Sequence, residues 1–532
     1  MPESALAAPT PVSRLAVPFL GLLGAIQGSD PNIANTALVG ASRGIHMTGS
    51  TLALAASVCT LMTAATALST GLLADRLGRR RVLMAALVLG FVGDLVVALA
   101  PATGVYLLGR AIVGVGLGAV YGASFAYIRA VARPGRVPAA LGVFTAVIGL
   151  STLVLTFVGG SLASIDWRLA FLVVPVMSVI SLAAVPVLLP KEERIVSEHS
   201  DNVGQVLLAL GIIAFLYGVS QLGKSLTDPK TVLPVVLGAA LVGGFFVYES
   251  KNEHRFFPVS LFRSPIFLAS ICAGFVYNFG MAVSFLQVTN LWQYVNGLST
   301  STVALWQLPL TFTGIIGALA FGRLMSKGMT NRLALVIGST TTAVGFGFLA
   351  LLHSSHSLIG FLPGLMIVGA GVTICVIPFG NLVLEVAPAA YFGPVTSSRT
   401  TIGQFFYAVG FSMSTVVVDK ITVGGVVRRL TRAGVPPTQL STGLGAVTDY
   451  ASKSTAPTTS LGKHALAAAV VSYGDGFAVM MVVAAVLCFV AGGAGYVLLS
   501  RGRVSPAPPA PPAPAEAPSA PAPPEPATVT AS

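Results

Sequence analysis

The sequence predicts an all-α integral membrane protein with fourteen transmembrane helices. Three observations carry that prediction. Of the 532 residues, 54% are hydrophobic and only 9% are charged, with a mean hydropathy of +0.85. Soluble domains are roughly a quarter charged, so a chain this apolar could not cover its own core with polar surface. Apolar stretches of about 20 residues, the length a helix needs to cross ~30 Å of hydrocarbon, recur from end to end. The basic residues fall in short connections between those stretches, in an alternating pattern.

Taken in order, the spans are placed at 15–38, 50–73, 82–100, 104–130, 139–163, 168–189, 203–222, 231–250, 266–292, 301–324, 332–352, 357–381, 393–418 and 474–499. The first begins at Leu15 after a single arginine, Arg14, like a secretory signal. No small-residue cleavage pattern follows, so it is read as a retained helix. An even number of spans puts both termini on one side. One set of connections and tails holds 17 basic residues (Arg14, Arg76, Arg79, Arg80, Arg81, Arg133, Arg136, Lys191, Arg194, Lys251, Arg255, Arg263, Arg323, Lys327, Arg332, Arg501, Arg503). The opposite short connections hold 4, namely Arg43, Arg168, Lys224 and Lys230. Cytoplasmic connections carry the excess of Lys and Arg, so the ratio makes both termini cytoplasmic and the protein a multi-pass component of the plasma membrane. The same distribution accounts for the net charge of +12. No basic face or stripe is formed, and a nucleic-acid partner is rejected.

Two segments fall outside the spans. The connection 419–473, rich in Gly, Ser and Thr, reads as a long outer loop with one short interfacial helix from Gly462 to Val471. Its six further basic residues do not contradict the orientation, because long loops translocate largely regardless of charge. The tail from Ser505 to Ser532 is rich in Pro and Ala and reads as extended and disordered. The domains are therefore a cytoplasmic N-terminus (1–14), a six-helix bundle (15–189), two linking helices (190–265), a second six-helix bundle carrying the outer loop (266–500), and a cytoplasmic tail (501–532). The four cysteines, Cys59, Cys272, Cys375 and Cys488, are scattered within spans. They suggest neither a metal site nor a disulfide framework, and are expected to pack as small apolar groups. No Walker loop, zinc signature or catalytic constellation is present, which argues against an ATP-driven pump and against an enzyme.

A faint repeat joins the two bundles. GLLADRLGRRR (Gly71 to Arg81) connects spans two and three, and FGRLMSKGMTNR (Phe321 to Arg332) connects spans ten and eleven. Internal repeats of this kind mark transporter folds, with the substrate site near the midplane between halves. The first of these stretches resembles the loop signature of the major facilitator superfamily. SDPNIANTAL (Ser29 to Leu38) resembles the first-helix signature of its fourteen-helix drug:proton antiporter branch. GRAIVGVGLGA (Gly109 to Ala119) is similar to the fourth-helix arginine motif, and DWRLAFLVVP (Asp166 to Pro175) to the start of the sixth helix. The resemblance covers the chain except its tail. It implies the major facilitator fold, two six-helix bundles plus two extra central helices. It also implies a proton-coupled exporter of small lipophilic compounds, working without cofactor and as a monomer in the lipid bilayer. The family's fifth-helix Gly-Pro pair, associated with antiport, is Leu155 and Thr156 here, although Gly159 and Gly160 follow. Uptake or facilitated diffusion of a small metabolite therefore stays open beside export, as does export of lipids.

Several residues are candidates for the chemistry. A carboxylate at membrane depth costs ~2.5–3.5 kcal/mol and needs a partner or a proton. Asp30 lies ~22 Å up the first helix from the cytoplasmic face at 1.5 Å per residue. Arg110, on the descending fourth helix, lies ~21 Å from the same face. The two are expected to meet, with the arginine tuning the proton affinity of Asp30; the resemblance assigns proton coupling to this pair. Asp94, ~18 Å deep in span three, is a second proton candidate, with a plain polar contact or an interfacial position favoured for it. The resemblance implies that Gly71, Asp75, Arg76, Gly78, Arg79 and Arg80 form a latch that holds one conformation closed. Gly114, Gly118 and Gly122 recur every four residues and present a flat packing face; Gly159 and Gly160 are expected to pack likewise. Arg399 could snorkel and pair with Glu385 at the cytoplasmic face, and Trp292 reads as an interface anchor. Asn35, Tyr277, Asn278 and Gln287 are candidates for the cavity wall. No metal ligand set is predicted.

Overall fold

The computed structural model describes residues 13–47, 49–191, 201–222, 228–252, 255–355, 357–453 and 457–501. The N-terminal segment before residue 13, Arg194, Lys224, Arg503 and the Pro/Ala tail lie outside the described residues. Among those described there are helices and no strands. The first half comprises α1 (Ala16–Gly44), α2 (Gly49–Leu77), α3 (Arg79–Ala98), α4 (Thr103–Val131), α5 (Val137–Ile165), the one-turn α6 (Trp167–Ala170) and α7 (Val173–Leu188). Then come α8 (Asn202–Gln221) and α9 (Pro229–Lys251). The second half comprises α10 (Pro265–Asn290), α11 (Thr300–Ser326), α12 (Asn331–Leu351), α13 (Leu358–Val386), α14 (Phe392–Arg432), α15 (Pro437–Lys453) and α16 (Ser460–Arg501). With α6 and α7 sharing one span and α15 lying apart, these make the fourteen expected. Thirteen of the described helices are apolar and long enough to cross a membrane. The remaining one, α1, falls short because Gln27, Ser29, Asp30, Asn32 and Asn35 interrupt its apolar run.

Within the first half α1 packs on α5, α2 on α4, and α3 on α4 and α7. The second half repeats the scheme with α10 and α11 on α13, α12 on α13 and α16, and α14 on α16. The linking helices are central in sequence and peripheral in space: α8 and α9 form a hairpin, and α8 leans on α2 and α14. There Phe215 stacks on Phe405 at 5.5 Å between centroids.

Glycine sets how closely the helices approach. On α4, a β-carbon at Gly114 would sit 2.4 Å from the Cys59 carbonyl oxygen, one at Gly118 would sit 3.2 Å from Thr63 Cα, and one at Gly122 would meet Ser397 Oγ at 3.0 Å. The expected flat face thus serves α2 along two turns and α14 along the third. Gly159 abuts Ile33 of α1, at 2.6 Å by the same measure, but Gly160 faces open space. Only Gly159 of the pair packs as expected, because consecutive helix residues point about 100° apart.

The region 419–473 departs most from expectation. It is helical for most of its length rather than a loop with one short helix: α14 runs on to Arg432, α15 follows, and α16 begins at Ser460. Val426, Leu430, Ala465 and Ala469 form a small core of their own, and Arg429 pairs with Asp475 at 2.9 Å. Gly, Ser and Thr content obscured apolar residues spaced three and four apart (Val423, Val426, Val427, Leu430). Trp292 is fully buried against Phe361, with ring centroids 5.9 Å apart, and anchors no interface.

Substituting Gly114 by Ala should destabilise the fold by about 1–3 kcal/mol, since the added methyl meets backbone that cannot turn away. Gly160→Ala should be neutral or stabilising by up to about 1 kcal/mol, because alanine restricts the unfolded chain and touches nothing. Thermal unfolding of both variants in one detergent checks the contrast.

Candidate functional site: a buried charge cluster and a two-part latch

The charged cluster is assembled by glycine crossings. On α3 and α4, a β-carbon at Gly93 would lie 3.1 Å from the Gly109 carbonyl oxygen, and one at Gly109 would lie 2.9 Å from that of Gly93. The residues that follow them are Asp94 and Arg110. The α2–α4 crossing at Gly114 brings in Cys59, and Gly28 and Ile33 seat α1 against α5 on either side of Asp30. Pro31 removes one backbone hydrogen bond from α1 next to Asp30.

Arg110 is bidentate on Asp30, with Nη1 to Oδ1 at 2.7 Å and Nη2 to Oδ2 at 2.8 Å. The same Nη1 lies 3.4 Å from Asp94 Oδ1, and Cys59 Sγ donates to Asp30 Oδ2 at 3.2 Å. None of the three charged residues is more than 2% exposed. Asp94 Oδ2, Arg110 Nε and the Tyr106 hydroxyl have no partner among the described residues. Tyr106, Trp167 and Phe171 wall the cluster with tilted and edge-on rings, and the guanidinium sits 5.7 Å from the Phe171 centroid. A planar fork between two carboxylates is the arrangement that guanidinium geometry favours. Depth counting anticipated the meeting of Asp30 and Arg110. Asp94 makes the plain polar contact favoured for it, with Arg110, a partner signalled only by the glycines that precede each of them. Cys59, assigned to packing alone, is a hydrogen-bond donor in the cluster.

The second site lies at the end of the bundle rich in arginine. Asp75 accepts a hydrogen bond at Oδ2 from the backbone N–H of Gly393, in the first turn of α14, and lies 3.5 Å from Arg79. Gly71, one turn back, allows α2 and α14 to touch: a β-carbon there would be 2.4 Å from the Gly393 oxygen. Gly78 adopts φ +93°, a conformation that favours glycine, and so turns the chain into α3. Phe392 lies under two guanidiniums, Arg79 at 4.6 Å and Arg129 at 5.4 Å. Arg129 also donates to the Leu384 carbonyl at 3.1 Å. Arg76 and Arg80 are half-buried at the same end.

The opposite seam repeats this plan. Gly322 of α11 meets Gly142 of α5, where an added β-carbon would be 3.0 Å from the other glycine's Cα. Four residues after Gly322, Ser326 Oγ accepts from the N–H of Ala139, in the first turn of α5, at 2.9 Å. Gly71 with Asp75, and Gly322 with Ser326, occupy matching places in the faint sequence repeat. The two acceptors differ in charge. Ser326 and Arg129 were not anticipated.

Arg399 does not snorkel to Glu385. It is 5% exposed and donates to the Tyr121 hydroxyl, with its guanidinium 4.6 Å from the Phe125 ring and 4.9 Å from that of Phe379. Tyr277 stands among Tyr121, Tyr407 and Arg399. Tyr407 is 38% exposed. Of the four cavity candidates, Tyr277 and Asn278 border this region, with Asn278 close to Gly403, and Asn35 is exposed on α1. Gln287 is not a free cavity group. It is 1% exposed, donates to Ser414 Oγ at 3.0 Å and accepts from the Tyr473 hydroxyl at 3.0 Å, tying α10 to α14 and α16.

The Major Facilitator Superfamily profile matches residues 20–411. The chain belongs to the major facilitator superfamily. It is 28% identical over 365 residues to an uncharacterized MFS-type transporter of Mycobacterium tuberculosis, covering 68% of this chain and 52% of that protein. It is 28% identical to the multidrug resistance protein B homolog of the same organism, over 64% of this chain and 63% of that one. It is 25% identical to the puromycin resistance protein pur8 of Streptomyces alboniger, over 77% and 81%. The chain thus spans about half the length of the first of these relatives. Two crystal structures share the fold: the human organic anion transporter MFSD10 (TM-score 0.56, 15% identity, 89% of this chain and 98% of that) and the proton:xylose symporter XylE bound to a bromodeoxyglucose (0.55, 13%, 89% and 94%). As a member of the superfamily, the protein is a multi-pass membrane protein.

Two outcomes follow from the geometry. Arg110→Leu would leave two buried carboxylates without a cation and should cost about 3–5 kcal/mol, more than Asp94→Asn, as thermal unfolding would show. Asp75→Ala should speed amide exchange in the first turn of α14 at least about fivefold. Ser326→Ala should do the same, less strongly, in the first turn of α5. Hydrogen–deuterium exchange with peptide resolution reads both.

Proposed function

We propose that the protein is a proton-coupled exporter of small lipophilic compounds, working by alternating access in the plasma membrane with both termini cytoplasmic. The arrangement of Asp30, Arg110 and Asp94 is the observation that carries this reading. Two carboxylates around one guanidinium hold a net charge of −1 when all three are ionised, in surroundings that penalise uncompensated charge. Uptake of one proton neutralises the cluster, and release restores the negative charge. A group with that property can couple proton movement to the exposure of the cluster to one side or the other. The proton gradient would serve as the energy source; each charge crossing the membrane gains ~2.3 kcal/mol per 100 mV. No cofactor is required, and a monomer suffices because both halves lie in one chain.

The latch fits the same cycle. Both seams close at the arginine-rich end, which this reading places in the cytoplasm. A conformation locked there offers its cavity to the opposite side, and rocking must break the bonds of Asp75 and Ser326. The names of the relatives, multidrug resistance protein B homolog and puromycin resistance protein, support export of drug-like compounds. A facilitative permease is the second reading, favoured by Leu155 and Thr156 in place of the family's Gly-Pro pair.

Proton release from acid-loaded everted vesicles, read with a pH dye, separates the two. A panel of lipophilic cations and neutral drugs should evoke release in the wild type and none in Asp30→Asn. Labelled compounds that equilibrate without moving protons in either protein would replace antiport with facilitated diffusion.

A further inference from the structure

A second acidic site lies in the linking helices, away from the Asp30 cluster. Asp201 caps the N-terminus of α8, its Oδ1 accepting from the Gly204 N–H at 3.0 Å and from the Tyr248 hydroxyl at 3.2 Å. Glu249, on the last turn of α9, accepts through Oε1 from the Phe257 N–H at 2.7 Å. Asp201 is 4% exposed and Glu249 is fully buried. The second oxygen of each, Asp201 Oδ2 and Glu249 Oε2, is buried without a partner among the described residues. Both point to one spot. A β-carbon at Gly204 would lie 2.2 Å from the first and 2.9 Å from the second, so the two oxygens are within about 5 Å of each other. Glycine at 204 is what leaves room for them.

Among the described residues, the ionisable groups that meet this spot are the two carboxyls and Tyr248; the other contacts are the backbone N–H groups of Gly204, Phe256 and Phe257. Two ionised carboxylates placed face to face, dry and without a cation, would repel, and each would leave an acceptor unsatisfied. A single hydrogen between the facing oxygens removes both costs. We infer that Asp201 and Glu249 bind one proton between them, as a carboxylic acid hydrogen-bonded to a carboxylate, and that this proton pins three segments together. The segments are the start of α8, the end of α9, and the strand of chain at Phe256–Phe257 that leads into the second half. Loss of the proton sets two negative charges against each other and loosens the attachment of the linking hairpin. The site lies at the arginine-rich end and is separate from the cluster assigned to coupling.

Infrared difference spectroscopy on the purified full-length protein in nanodiscs tests this at neutral pH. The carbonyl band of one protonated carboxyl should be present in the wild type and in Asp30→Asn, and absent from both Glu249→Gln and Asp201→Asn. Thermal stability supplies an independent readout. In the wild type it should fall as pH rises and the shared proton leaves. In Glu249→Gln, whose amide supplies a permanent donor, that part of the pH dependence should vanish while the protein remains folded. Retention of the full band in both variants, or an unchanged pH dependence in Glu249→Gln, would overturn the inference. So would stabilisation of the wild type, and not of Glu249→Gln, by sodium, potassium or calcium, because the spot would then hold a metal cation. None of these readouts involves transport, so they stand or fall apart from the antiport reading.

Discussion

Three charged side chains at the heart of the first half impose the strictest constraint on this molecule. An arginine and two aspartates left apart at that depth would each cost a few kcal/mol. They have to be brought to within hydrogen-bonding distance from three separate helices, and glycine is the means. Gly93 with Gly109, Gly114 with Cys59, and Gly28 with Thr152 let backbones approach until short side chains reach one another. Without a hydrophobic force between helices inside the bilayer, such close crossings are also the main source of packing attraction. The same residues therefore assemble the cluster and stabilise the half that contains it.

The seams between halves use the same device for a different purpose. Gly71 on Gly393 and Gly142 on Gly322 make two narrow crossings. Each is followed one turn later by an acceptor for an N–H that opens a partner helix. The N-terminus of a helix carries unpaired donors and partial positive charge, so it receives an acceptor at little cost and surrenders it readily. Asp75 brings a full charge and Ser326 only a dipole. The two seams are thus alike in shape and unequal in strength, and the α2–α14 seam carries the added hold of Arg79 and Arg129 on Phe392.

Much of this was legible in the sequence, and what was not has physical reasons. Apolar length delivered the helices, and the resemblance of four short motifs delivered the fold. Depth along two antiparallel helices was enough to match Asp30 with Arg110, because rise per residue is fixed and both distances start from recognisable ends. Depth alone named no partner for Asp94, whose direction around α3 depends on the α3–α4 crossing. Gln287 and Trp292 carried the composition of a cavity or an interface and were buried instead, since composition does not say which face of a helix meets a neighbour. The stretch 419–473 misled in the opposite sense: turn-forming residues masked a helical period that continues beyond the apolar span.

The placement of the linking hairpin bears on how the halves move. Because α8 leans on both α2 and α14, it touches the very pair of helices whose separation opens the basic end. Any shift of α14 relative to α2 has to be met by sliding at the stacked rings of Phe215 and Phe405 or by movement of the hairpin as a unit. The first costs little, since stacked rings tolerate lateral displacement. The second is resisted where the hairpin is fastened, at Asp201, Glu249 and the Phe256–Phe257 segment. A fastening made of two acids has a strength that depends on pH. The hairpin is thereby positioned to bias the seam without contributing a residue to it.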